Sequence, residues 1–393
     1  MNDGTPAPPP EMPWIVDGQR LLHVGVFKTG TTSIQGALNA HRTELKELGI
    51  LYPGATVAHN NAAMAALGTR RGWKNGGKVP DPTHWDNLVR HAERNKRKTV
   101  ISSEAFCQAS DDQAKTVIDG LGRGRTKVFI TLRPLEAILP STWQEYVKSG
   151  LRLPFEEWLR DMLRGPGVTK YSTPSFWKRN DFGPQVERWV AAAGAENVTV
   201  MVVDPTRRSL LHETFEQLVG LPTGFLAPDP SQPSNRSLSA NEAEVLRSLN
   251  ERTHNKIDFT YYGRLMRDGA IHSLVEKRSP GQDEVKLAAP PWAVERAREL
   301  GADSPRRIAA TGAHVVGDLA ALVPTAEPAE AIDASPTDTP VEAAVLLLEG
   351  LLRKAVHELA KRDKALAGEM LEADIPAEPA WKRRAKAVRA RLR

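Results

Sequence analysis

The sequence predicts an α/β fold built on a parallel sheet, with a mainly helical C-terminal extension. Short apolar runs, "RLLHVGV" (20–26), "KTVIS" (98–102), "KVFITL" (127–132) and "NVTVMVVD" (197–204), alternate with stretches of helical periodicity. These strands are apolar on both faces, as expected of a parallel sheet covered by helices. With 393 residues, 40% of them apolar, the chain can bury one large or two medium cores.

In chain order, residues 1–18 are proline-rich and read as a disordered lead-in. The first strand (20–26) runs into a tight turn. From Thr31, the spacing of Ile34, Leu38, Leu45 and Leu48 predicts one helix ending at Gly49. "DPTHWDNLVRHAER" (81–94) reads as a helix with Asp81 as cap and Pro82 at its first position. Strands 98–102 and 127–132 follow, and Pro134 opens a helix through about Lys148. "FEEWLRDML" and "GPQVERWVAAAG" are amphipathic helices ahead of the strand at 197–204. Residues 19–322 are thus read as one α/β domain. "VPTAEPAEAIDASPTDTP" (323–340) is a Pro/Ala/acidic linker, and 341–393 hold a C-terminal helix and a basic tail. Thr339, Pro340 and Glu342 form a capping box for that helix. Val341, Val345, Leu348, Leu352, Val356 and Leu359 make one apolar stripe, expected to pack on its own domain or on a partner subunit.

The net charge is +5, but "WKRRAKAVRARLR" alone carries seven Lys or Arg and no acid, so the rest of the chain stands at −2. That argues against nucleic acid as a partner. Cys107 is the only cysteine, which excludes an intramolecular disulfide and a cysteine zinc cluster. The ten histidines show no HxxxH or HExxH spacing. No apolar run approaches the roughly 20 residues of a membrane helix, so stable membrane insertion is not expected. The acidic, proline-rich start is unlike a signal peptide, and a reduced, cytoplasmic protein is the expectation.

"FKTGTTS" (27–33) joins the first strand to the first helix. A Walker A loop needs GxxxxGK[ST], and here "GK[ST]" is absent, with Lys28 ahead of the turn. The physics still suits an anion. Gly30 lets the backbone come close, and the amides of Gly30, Thr31, Thr32 and Ser33 lie at a helix N-terminus, where unpaired N–H groups and the dipole attract negative charge. Thr29, Thr31, Thr32 and Ser33 add hydroxyls, and Lys28 adds a mobile positive charge. The alternative is an ordinary capped strand–helix turn. Further on, "VFITLRPLEAILPSTW" puts Arg133 at a strand end and Ser141 eight residues later, inside the next helix.

The two elements together, in this order, resemble the 5′-phosphosulfate loop and the 3′-phosphate signature of the PAPS-dependent sulfotransferases, nearest the bacterial branch with "KTGTTSIQ"-type loops. PAPS is 3′-phosphoadenosine 5′-phosphosulfate, and PAP is the product left when its sulfuryl group departs. The resemblance covers roughly residues 20–250. It implies a P-loop-type parallel sheet flanked by helices, with PAPS at the strand C-termini. It also implies in-line transfer of SO3 to a hydroxyl or amine of a small-molecule or carbohydrate acceptor, with no metal. Lys28 and the loop amides would stabilise charge at the transferring group, and Arg133 and Ser141 would hold the 3′-phosphate. Arg236, in "NRSLSANEAEVLRSLN", could reach the same phosphate or belong to a polar lead-in to a helix capped near Ser239. The general base is left between two residues. Glu104, just past the strand in "TVISSEAF", stands where cytosolic relatives carry a catalytic His in a "KTH" motif. His59 lies in the loop region after the first helix, where the heparan-sulfate type carries a Glu. The structural readings are an ion pair from Glu104 to Lys28 and a surface position for His59. Two other functions compete: a P-loop nucleotide kinase or NTPase, and a non-catalytic scaffold of the same fold.

Overall fold

The computed structural model describes residues 15–70, 77–168, 175–207, 209–227, 236–281, 284, 286–324 and 340–373. Its centre is a sheet of strands β1 (Arg20–His23), β2 (Ile50–Leu51), β3 (Lys98–Ser102), β4 (Thr126–Leu132), β5 (Val198–Val202) and β6 (His314–Val316). They pair in the order β2-β3-β1-β4-β5-β6, and every pairing is parallel. The α/β class predicted from the apolar runs is the class observed.

Alternation along the strands divides the core into two layers. Leu21, Val100, Phe129 and Met201 face one side with Ile34, Leu38 and Phe215. Leu22, Ile101, Val128 and Val200 face the other with Val117, Ile118 and Trp189. Since both faces are covered, β1, β4 and β5 are almost wholly buried, and their sequences need no polar alternation.

In chain order the first helices are α1 (Thr31–Ala40), α2 (Arg42–Glu47), α3 (Asn60–Ala66), α4 (Thr83–Arg94), α5 (Asp111–Leu121) and α6 (Leu135–Lys148). The single helix expected from Thr31 to Gly49 breaks at His41. There Arg42 turns its guanidinium onto the carbonyls of Tyr52 and Gly54, which ties α2 to the following loop. Leu48 is consequently off the apolar stripe and half exposed. α4 begins at Thr83 with Pro82 at the cap position, one residue later than expected, and the Asp81 carboxylate accepts the Thr83 amide at 2.8 Å. The end of the expected lead-in belongs to the fold: Ile15 is fully buried and its amide donates to the Leu218 carbonyl at 3.0 Å. The rest of that lead-in (1–14), most of the expected 323–340 linker (325–339, with Thr339) and the end of the chain with its basic residues (374–393) lie outside the described residues.

The chain divides into two compact units, which cuts the expected 19–322 domain differently. One holds the sheet and runs to Arg252, resuming at Gly281; the other joins Thr253–Pro280 to the C-terminal helix. In this second unit, a helical run over 259–277, wound as a π-helix across Gly263–Ile271, packs on helix Val341–Ala373. Gly269 and Gly350 meet where the two cross. A Cβ on Gly350 would stand 2.5 Å from the Gly269 carbonyl oxygen, so neither position accepts a side chain without the helices parting. Ion pairs Lys277–Glu349 (2.9 Å) and Arg278–Glu342 (3.2 Å) close the packed edge.

Candidate active site

The C-terminal edges of β1 and β4 adjoin, so the segments leaving them emerge side by side. Beyond His23 the chain keeps pairing with β4: Val24 and Val26 amides donate to Phe129 and Thr131 carbonyls, and the Thr131 amide donates to Gly25. Gly25 takes φ +90°, and a Cβ there would lie 3.0 Å from that of Glu104, so only glycine lets the β3 edge cross so closely. The loop then turns sharply. Lys28 has left-handed backbone at φ +67°, rare for a residue with a side chain, and Gly30 has φ +91° and would clash with Leu211 if substituted.

The helix above this turn begins without a side-chain cap. The amides of Gly30, Thr31 and Thr32 make no backbone hydrogen bond among the described residues, while the Ser33 amide is used within the turn, on the Gly30 carbonyl at 3.0 Å. The hydroxyls differ in use. Thr29 is buried and spends its hydroxyl on the Val26 carbonyl and on Thr131 Oγ1 at 2.6 Å, stapling the loop to β4. Thr31 is buried, Thr32 is exposed, and Ser33 Oγ bonds His212 Nε2 at 2.8 Å.

Arg133 is the first residue past β4. Its guanidinium is largely removed from water, which lowers its pKa, yet it makes no ion pair or hydrogen bond among the described residues. A desolvated guanidinium with no acceptor is a ready anion site. Ser141, on α6, currently gives its hydroxyl to the Ile138 carbonyl at 2.9 Å. One turn further, Glu145 accepts from both Lys28 Nζ and Lys148 Nζ, each at 3.1 Å. Burial alone would raise the pKa of Glu145, but the two ammonium groups outweigh it and pull it down to about 2. Lys28 is therefore drawn toward α6 by a carboxylate that an incoming anion must compete with.

Glu104 opens a short 3-10 turn directly after β3. Gln35 of α1, almost fully buried, donates its side-chain amide to Glu104 Oε2 at 2.9 Å and to Ser102 Oγ at 3.1 Å. Ser102 in turn meets His23 Nδ1 at 2.9 Å. The ion pair expected from Glu104 to Lys28 is thus made by Glu145, and Glu104 is held instead by a neutral amide. His59 is not on the surface: it is 5% exposed. Its Nδ1 accepts the Ser102 amide at 3.1 Å, and Nε2 lies 2.9 Å from the Pro53 carbonyl, to which it must donate. Both nitrogens are committed to joining the loop after β2 to the β3 edge, which leaves no lone pair for an acceptor proton.

Burial pushes the pKa of His59 down to about 4 and that of His23 to about 3. An unfolded imidazole takes a proton near pH 6.5, whereas the folded ones refuse it until these lower values. Between those limits the unfolded state binds more protons, so stability falls as pH drops below about 6.5 and the two contributions level off below about pH 3–4. Calorimetric unfolding from pH 7 to 5 should show this decline, and His59→Asn should flatten part of it while lowering the melting temperature throughout. An unchanged slope in the variant would mean His59 is not held neutral by the fold.

Arg236 lies beside α6, because Gln144 exchanges two hydrogen bonds with the backbone of Leu238. Its guanidinium, however, grips the fully buried Glu242 through two bonds of 2.7 and 2.8 Å. Ser239 and Glu242 complete a reciprocal capping box for the helix Ala240–Thr253. The geometry is that of a helix cap, not of a residue presented to a ligand. Sequence reasoning missed Glu145 and Gln35; the first shares a helix face with Ser141 at i+4, and the second follows the loop by two residues. Among the described residues, no group of three His, Cys, Asp or Glu could hold a metal ion, and no helix is long and apolar enough to cross a membrane.

No protein-family model matches the chain, and no curated protein matches it in sequence. Among solved structures, the crystal structure of a sulfotransferase from Alicyclobacillus acidocaldarius is similar at 19% identity and a TM-score of 0.39, spanning 62% of this chain and 98% of that one. A likeness at that level carries no argument about activity.

Proposed function

We propose that this chain is a PAPS-dependent sulfotransferase, moving a sulfuryl group to a hydroxyl or amine of a small-molecule or carbohydrate acceptor. The observation that carries the reading is the pairing of an uncapped helix N-terminus and Lys28 past the end of β1 with a desolvated Arg133 at the end of β4 that has no partner among the described residues. Two anion sites on adjoining strand edges suit a ligand with two separate phosphate groups.

The donor supplies an activated sulfur. In the transfer, an acceptor O–S or N–S bond forms as the bond from sulfur to the bridging phosphate oxygen breaks, and that oxygen leaves with the electron pair. Lys28 and the amides of Gly30, Thr31 and Thr32 offset the charge growing on the leaving oxygen. Arg133, with Ser141 rotated from its backbone partner, orients the 3′-phosphate. Glu104 takes the acceptor proton, held in place by Gln35. Glu145 positions Lys28, and His59 positions the β3 edge that carries Glu104. Arg236 is assigned to the helix cap.

Thermal stabilisation tests this reading against a nucleotide kinase or an empty scaffold. PAP should raise the melting temperature at concentrations where ATP with magnesium does not. Arg133→Ala should weaken PAP binding about ten- to a hundredfold, the loss of one charge-assisted contact, and leave adenosine 5′-phosphosulfate, which lacks the 3′-phosphate, nearly unaffected. A preference for ATP would favour the kinase, no response to either ligand the scaffold, and equal losses for both ligands would make Arg133 structural.

A further inference from the structure

The C-terminal helix has two apolar faces, and its own unit covers only one. Ala343, Leu347 and Gly350 are buried, and Gly350 lies in the close crossing with Gly269. On the opposite side, Val341, Val345, Leu348, Leu352, Val356 and Leu359 are 51–79% exposed. These six fall at intervals of 4, 3, 4, 4 and 3 residues, which keeps them on one side of a straight helix for five turns. Single exposed apolar residues are ordinary, whereas a continuous row of this length marks an interaction surface.

We propose that this stripe is a self-association surface, on which a second copy of the chain lays the same helix antiparallel. Two features of the helix select that occupant. The first is internal symmetry. Reversing the helix about Gly350 sets Val341 against Leu359 and Leu348 against Leu352 and brings Val345 within one residue of Val356, so the exposed apolar side chains meet one another along the whole seam. An isologous contact of this kind closes into a dimer. The second is charge. The first ten residues, 341–350, carry Glu342 and Glu349 and no base, whereas 351–364 carry Arg353, Lys354, Lys361, Arg362 and Lys364 against Glu358 and Asp363. Antiparallel pairing lays the acidic half of one copy along the basic half of the other and opposes the two helix dipoles; parallel pairing sets like on like. Glu342 and Arg353 each hold a partner on their own chain, Arg278 and Glu349, yet both keep most of the side chain exposed at the rim of the stripe.

The inference is independent of the proposed activity, and its test needs no ligand. Sedimentation of the full chain at micromolar concentration should give a dimer. Leu348→Glu with Leu352→Glu, two charges at the centre of the seam, should weaken it by about a hundredfold or more and give a monomer. Both positions are solvent-exposed in the single chain, so circular dichroism should be unchanged. Disulfide capture tests the direction without depending on those variants. Residues 341 and 359 lie about 27 Å apart along one helix, so Val341→Cys combined with Leu359→Cys should oxidise to a covalent dimer and Val341→Cys alone should not. A wild-type monomer at tens of micromolar, a dimer that survives both glutamates, or crosslinking by Val341→Cys alone would each overturn the proposal. The first outcome would assign the stripe to another partner, the last to a parallel pair.

Discussion

Lys28→Ala is expected to lower sulfuryl transfer by about 10²–10³-fold, the usual cost of removing one preorganised charge from a developing oxyanion, while PAP binding weakens by no more than about tenfold. The difference follows from where the charge is needed. In the resting site Lys28 is already neutralised by Glu145 at 3.1 Å, so a ground-state anion gains only what it wins in competition with that carboxylate. Charge building on the leaving oxygen offers more, and an interaction stronger in the transition state appears in turnover, not in affinity. The fold should tolerate the change. Lys28 pays for left-handed backbone at φ +67°, but alanine, which also has a Cβ, carries the same strain, so no backbone energy is released or added. Glu145 keeps Lys148 as its second partner. Near wild-type turnover in this variant would remove Lys28 from the mechanism, and a collapse of the melting temperature would make it a structural lysine.

The fold was legible because the strands of a covered parallel sheet are uninterrupted apolar runs. "KTVIS" could be placed at 98–102 to the residue, and β4 to within one position. β2 and β6, of two and three residues, are too short to show any period. The break at His41 was hidden because Leu45 still falls on the helical stripe; what turns the chain is Arg42 reaching carbonyls ten and twelve residues on. The candidate site was legible where it is local: a strand running through a tight turn into a helix start, and an arginine at a strand end. It was not legible where contacts are distant in sequence. Nothing near Lys28 announces Glu145, 117 residues away, and nothing near Glu104 announces Gln35. His59 reads as a surface residue because sequence shows neither the Ser102 amide nor the Pro53 carbonyl that occupy its ring. The C-terminal stripe was visible as a pattern, but periodicity counts faces without saying which one is covered.

The choice of base leads to the other large effect. Glu104→Gln should lower turnover about 10²–10⁴-fold, the usual range for loss of a general base, with PAPS affinity and melting temperature close to wild type. Glutamine has the shape of Glu104, and its side-chain oxygen can accept the Gln35 amide that Glu104 Oε2 accepts at 2.9 Å, so the network through Ser102 to His23 survives. What is lost is the capacity to take a proton at neutral pH. His59→Asn should show the opposite signature. Asparagine cannot span from the Ser102 amide to the Pro53 carbonyl, so the defect falls on stability, and turnover declines only as far as the β3 edge loosens. Where no acceptor is in hand, slow hydrolysis of PAPS to PAP and sulfate gives the readout, with water as nucleophile. Should Glu104→Gln hydrolyse PAPS normally while His59→Asn stops without melting earlier, the proton would pass to His59. Its ring would then have to leave Pro53 during turnover, and the chain would resemble the heparan-sulfate type, with its base in the loop after the first helix.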